Sequence, residues 1–141
     1  LTLPRLRDMA VTCPDGTVGA IVYGRLPLML LEKCAIREAY ASLPPSTVCR
    51  DICAADRAVL RDRMGKDFPL LRERGADRNA HRTLVVNSLP LSMSDRWNEI
   101  ARLSLGEHHF IFTVESPAEV DRVIHAYRTG TPVGGEVRRM K

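Results

Sequence analysis

The stretch His109-Phe110-Ile111-Phe112-Thr113-Val114-Glu115-Ser116-Pro117-Ala118-Glu119 holds a strand and the start of a helix back to back. His109 to Val114 is an apolar run with little alternation, as expected of a strand buried on both faces in a parallel sheet. Ser116 then supplies an N-cap, Pro117 a first helical position that needs no N–H, and Glu119 the third-position partner of a capping box. The helix is predicted to bury Val120, Val123, Ile124 and Tyr127 and to stop at Gly130.

Working outward, Ser92 or Ser94 is read as the cap of a helix reaching about Leu105, with Trp97, Ile100, Ala101 and Leu105 on one face and Gly106 closing it. Before it, Thr83-Leu84-Val85-Val86-Asn87 reads as another buried strand. Strand, helix, strand, helix with short links is the signature of a parallel α/β unit. Near the N-terminus, Thr2 and Pro4 open a helix, Pro14-Asp15-Gly16 is a turn, and Val18 to Tyr23 is a strand closed by Gly24. Pro27 within Leu26 to Leu31 is read as a crossing over the mouth of the sheet. The expected fold class is therefore α/β, with three parallel core strands forming part of a TIM-barrel-like (β/α) sheet.

Between these parts lies a Cys-bearing insertion, placed at residues 34–74 and ending in a hairpin. Ala58 to Asp62 and Phe68 to Arg72 pair around Arg63-Met64-Gly65-Lys66-Asp67, whose glycine suits a left-handed residue. Cys49 and Cys53 are four apart, so on a helix their thiols would share one face.

At 141 residues the chain has room for one ordinary domain, and a 45% apolar, 27% charged composition is that of a globular protein. No apolar run approaches the roughly 20 residues of a membrane span, and the basic start lacks a signal peptide's apolar core. A soluble, cytoplasmic protein is expected, with no membrane partner. Because the chain opens at Leu1 with a helix already under way, it is expected to be a piece of a longer protein. The net charge of +4 is carried mostly by Arg, which admits RNA or an anionic small molecule as a partner and equally suits solvated helix faces.

Four cysteines without a secretion signal favour metal or redox chemistry over a disulfide framework. Cys34, Cys49, Cys53 and His81 form the leading candidate metal set: three thiolates and one imidazole suit a zinc site or an iron–sulfur cluster, and unrelated buried thiols are the alternative. Structural or surface roles are expected for His108, His109 and His125. Glu115, where a parallel strand ends, is a candidate catalytic acid or base or a helix cap, and Arg25 a candidate holder of an anionic group or a salt-bridge residue. Gly24, Asn87, Ser88 and Glu115 are expected on one rim of the sheet. The zinc-peptidase His-Glu-x-x-His, the Gly-x-Ser-x-Gly elbow and a phosphate-binding glycine loop are all missing from the sequence.

Five segments in order, Tyr23-Gly24-Arg25-Leu26-Pro27-Leu28-Met29, Glu32-Lys33-Cys34, Leu60 to Leu70, Val86-Asn87-Ser88-Leu89-Pro90-Leu91 and Phe112-Thr113-Val114-Glu115-Ser116, resemble the collagenase-like peptidase family, number thirty-two among peptidases of unknown catalytic type. The resemblance spans roughly residues 2 to 130 and implies the C-terminal half of a barrel-like catalytic domain, whose remaining half lies elsewhere in the full chain. It implies either a peptidase or an oxygen-independent hydroxylase acting on RNA bases or a cyclic metabolite. It further implies a [4Fe-4S] cluster on Cys34, Cys49 and Cys53, with His81 standing where the family has a fourth cysteine. Histidine ligates iron and also suits zinc, so zinc is the alternative cofactor, and a non-catalytic, zinc-stabilised RNA-binding module the third reading. Arg25, Asn87 and Ser88 are the expected substrate contacts, and Arg25 and Glu115 the expected catalytic residues.

Overall fold

The computed structural model describes residues 2–39, 58–74 and 81–139. It is a mixed α/β structure with two sheets, and the chain divides into two compact units, Leu1–Arg25 with Leu89–Lys141, and Leu26–Ser88. Among the described residues no helix is long and apolar enough to cross a membrane.

The first unit contains α1 (Leu3–Thr12), β1 (Gly19–Gly24), β6 (Leu91–Ser92), a 3-10 turn (Ser94–Arg96), α3 (Trp97–Ile100), β7 (Glu107–Ile111) and α4 (Pro117–Thr129). Its sheet has the order β6-β1-β7, with β1 parallel to β7 and antiparallel to β6. Leu3 and Leu6 of α1, Val22 and Tyr23 of β1, Met93, Ile100, and Val123 and Tyr127 of α4 form one buried cluster. Helix α4 follows its sequence signals closely. Ser116 Oγ accepts from Glu119 N–H while the Glu119 carboxylate accepts from Ser116 N–H at 2.7 Å, and Gly130 closes the helix in the left-handed region.

The helix expected from Ser92 or Ser94 to Leu105 is much shorter. Ser92 lies in β6 opposite Tyr23, and Ser94 Oγ accepts from Val133 N–H at 2.9 Å, so neither hydroxyl caps a helix. After the fully buried Ile100 the chain tightens, Leu103 N–H donating to Ile100 C=O and Leu105 N–H to Leu103 C=O. Both leucines thereby pack on the core from a turn rather than from a helical face.

The second unit contains β2 (Pro27–Leu31), α2 (Ala35–Ala39), β3 (Val59–Arg61), β4 (Asp67–Arg74) and β5 (His81–Val86) in a wholly antiparallel sheet of order β2-β5-β4-β3. The expected parallel placement of the Thr83–Asn87 run is therefore corrected. Thr83, Val85 and Val86 are buried, and β5 has a strand on each side; an unalternating run reports burial without reporting strand direction. The crossing expected at Leu26 to Leu31 is likewise an edge strand among the described residues. Pro27 stands at its first position, where a missing N–H breaks no ladder bond. The hairpin forms as expected: Asp62 Oδ1 accepts from Met64 and Lys66 N–H, and Gly65 takes φ +76° in the turn.

Candidate functional site

The C-terminal ends of the parallel pair β1 and β7 bring Arg25 and Glu115 together. Gly24 makes this possible. Its φ of +134° is costly for any L side chain, and a Cβ there would lie 2.4 Å from the Ile111 carbonyl oxygen. The chain thus passes hard against the end of β7 and turns, leaving Arg25 Nε 3.8 Å from Glu115 Oε1.

Glu115 is held by its own loop. Oε2 accepts from Thr113 N–H at 2.7 Å and Val114 N–H at 3.1 Å, and these bonds draw the two amides out of the strand. This is why β7 ends at Ile111 rather than at the expected Val114. Oε1 is engaged more loosely, by Tyr23 OH at 3.5 Å and by Arg25. The Glu115 side chain is 5% exposed and that of Arg25 16%. Capping of α4 falls to Ser116 and Glu119, so the carboxylate of Glu115 is not spent on the helix.

Tyr23 completes the corner, its ring tilted against Phe112 at 5.3 Å. Burial, reinforced by the negative charge of Glu115 and opposed by Arg25, pushes its hydroxyl pKa up to about 12. It therefore stays a neutral donor across the physiological range. Thr113 Oγ1 is buried beside the same loop with no hydrogen-bond partner among the described residues. Neither Tyr23 nor Thr113 was a sequence candidate. The usable signal was position, one side chain before Gly24 and the other two before Glu115.

The remaining candidates lie in the second unit or outside the described residues. Asn87 N–H donates to Leu26 C=O at 3.0 Å, tying together the two points at which the chain enters and leaves that unit; Ser88 follows directly. Cys34 is half-buried just before α2, and the first amide of that helix, Ala35 N–H, donates to the buried Thr83 Oγ1 at 3.0 Å. Cys34 is thus anchored to β5, the strand that begins at His81. Cys49 and Cys53 fall in 40–57, outside the described residues. Among the described residues no group of three or more His, Cys, Asp or Glu is gathered as a metal site.

The other histidines sit apart. His108 packs edge-on to Trp97 at 4.9 Å, His109 Nε2 lies 3.1 Å from Glu107 Oε2, and His125 borders an open cleft of about 410 Å3 beside the end of α4. Compared with known protein families, with curated proteins and with solved structures, the chain finds no match.

Proposed function

We propose that this chain is part of a (β/α) barrel enzyme of the collagenase-like peptidase family, with hydroxylase-type chemistry on RNA bases or a cyclic metabolite rather than proteolysis. The observation that carries the reading is the Arg25–Glu115 pair at the C-terminal ends of two adjacent parallel strands, the position at which α/β folds gather their chemistry. The carboxylate is fixed by two backbone amides, so it meets a ligand without reorganising. Arg25 supplies a planar set of donors beside it.

Cys34, Cys49, Cys53 and His81 are the residues that would hold a [4Fe-4S] cluster, or zinc as the alternative. Three thiols and an imidazole are a donor set suited to either, and the Ala35–Thr83 bond supports the reading by fixing Cys34 on β5. A cluster bound there would supply one-electron chemistry. Arg25, Glu115 and Tyr23 would orient the substrate.

Proteolysis is the second reading of the family, and activity surviving both chelation and cysteine alkylation would favour it. The variant series that tests the first reading is Cys49→Ser, Cys53→Ser and Cys13→Ser, assayed for iron, sulfide and zinc. Loss of metal in the first two and retention in the third is expected, and equal metal in all three would overturn the assignment.

A further inference from the structure

The cleft beside the end of α4 contains none of the candidate catalytic or metal residues, and its walls are fixed by local chemistry. Gly130 turns out of α4 in the left-handed region, Thr131 N–H donates back to Ala126 C=O at 3.0 Å, and Val133 N–H is held by Ser94 Oγ at 2.9 Å. The segment 131–134 is thereby pinned alongside the last turns of α4, leaving an open cleft of about 410 Å3, within the range of small-molecule sites. Its apolar lining is Ala126, which is buried, Val133, which packs on the core cluster, and Pro132. Asp121 and His125 line it one helical turn apart on the same face, and neither side chain has a hydrogen bond or ion pair among the described residues. Arg122 lines it too. Its guanidinium has one ion pair among the described residues, a long one of 3.9 Å to Glu119 Oε1, and the side chain is 72% exposed.

We propose that this cleft binds a free α-amino acid with an apolar side chain, its ammonium meeting Asp121 and His125, its carboxylate meeting Arg122, and its side chain lying on Ala126, Pro132 and Val133. The lining sets a negative and a positive group on consecutive residues beside an apolar surface. A zwitterion with an apolar branch complements all three together. A simple anion would face Asp121 with no donor to offer it, and a simple cation would do the same to Arg122. An ammonium has three N–H donors, for which a carboxylate and an imidazole nitrogen supply acceptors. The charged partners are exposed, so each pairing contributes little alone and selectivity comes from satisfying both. Because the loop is already pinned at Thr131 and Val133, little ordering is left for the ligand to impose.

The test is a titration of the unmodified chain followed through the Ala126, Val133 and Gly134 amide NMR signals. The probes are leucine, 3-methylbutylamine, which is leucine without its carboxylate, 4-methylpentanoate, which is leucine without its ammonium, and glycine, which lacks the apolar side chain. Leucine should give saturable shifts at roughly millimolar concentration, as fits a ligand of so few atoms. Each of the other three should bind at least about threefold more weakly, the size of effect expected for one exposed charge pair or a few buried methylenes. In Asp121→Asn leucine should lose most of its advantage over 4-methylpentanoate, and in Arg122→Gln most of its advantage over 3-methylbutylamine. Both residues are exposed, so neither change threatens the fold. No saturable shift by leucine, binding of any of the other three as tight as leucine, or unaltered preferences in the two variants would each overturn the proposal. Metal content, which tests the cluster reading, has no bearing on any of these outcomes.

Discussion

The two units of this chain are stabilised in different ways. In the unit of Leu1–Arg25 and Leu89–Lys141, side chains close on backbone groups at nearly every turn: Glu115 on Thr113 and Val114, Ser94 on Val133, Tyr127 on Met93 and Val22, Ser116 and Glu119 on each other. The described part of Leu26–Ser88 is built mainly on strand ladders, with side chains closing on backbone at the Asp62 turn and at Thr83, and its two outer strands carry exposed apolar residues, Leu28, Met29 and Leu30 on β2 and Val59 and Leu60 on β3. The first arrangement ties individual side chains to backbone groups, as a site requires. The second holds a sheet together, with β2 and β3 as its outer strands among the described residues.

If that contrast is right, backbone substitutions should be far more damaging in the first unit. Gly24→Ala combines a left-handed φ with a 2.4 Å clash against backbone and should cost about 3 kcal/mol or more, enough to threaten folding. Gly65→Ala in the hairpin has φ +76° but nothing within 4 Å, and should cost about 1 to 2 kcal/mol. Urea denaturation of both variants measures the difference, and equal losses would erase the contrast.

Tyr127→Phe is the next largest effect. Its hydroxyl accepts from Met93 N–H at 2.8 Å and donates to Val22 C=O in the buried core. Because Met93 N–H also reaches Val22 C=O at 3.2 Å, the two backbone groups keep each other, and the loss should be about 1 to 2 kcal/mol by thermal unfolding.

A smaller effect shows its pH dependence only in alkali. Tyr23 titrates near 10 when unfolded and near 12 when folded, so the native state holds the proton more tightly. Its contribution is complete below pH 10 and falls as pH rises through 12. Tyr23→Phe should therefore flatten the decline of stability above pH 10, and an unchanged slope would contradict the burial of that hydroxyl against Glu115. The smallest change in stability is expected for Met29→Lys. At 52% exposure Met29 should alter unfolding by no more than about 0.5 kcal/mol while reducing aggregation seen by light scattering.

What could be read from the residues alone followed the reach of the signals rather than the division into units. Helix α4 and the β3–β4 hairpin were legible because their signals are local: Ser116, Pro117, Glu119 and Gly130 for one, Asp62 and Gly65 for the other. The partners of β5 were not legible, since Thr83 to Val86 looks the same whether its neighbours run parallel or antiparallel. The shortness of α3 was not legible for a similar reason. Ser94 is a fine cap by type, but its hydroxyl is claimed by Val133, 39 residues away. Arg25 and Glu115 were candidates from the sequence, one in the crossing after Gly24 and the other at a strand end, whereas Tyr23 and Thr113 join them only through the register of β1 on β7 and the loop that Glu115 folds.

The central proposal is an enzyme whose second unit carries a metal centre while the first holds the substrate. Its most direct test is anaerobic purification of the unmodified chain, followed by a visible spectrum and analysis of iron, sulfide and zinc. The account predicts brown protein with broad absorbance near about 400 nm and matching iron and sulfide. Colourless protein carrying one zinc per chain would shift the reading to a structural site, and protein free of all three elements would contradict it.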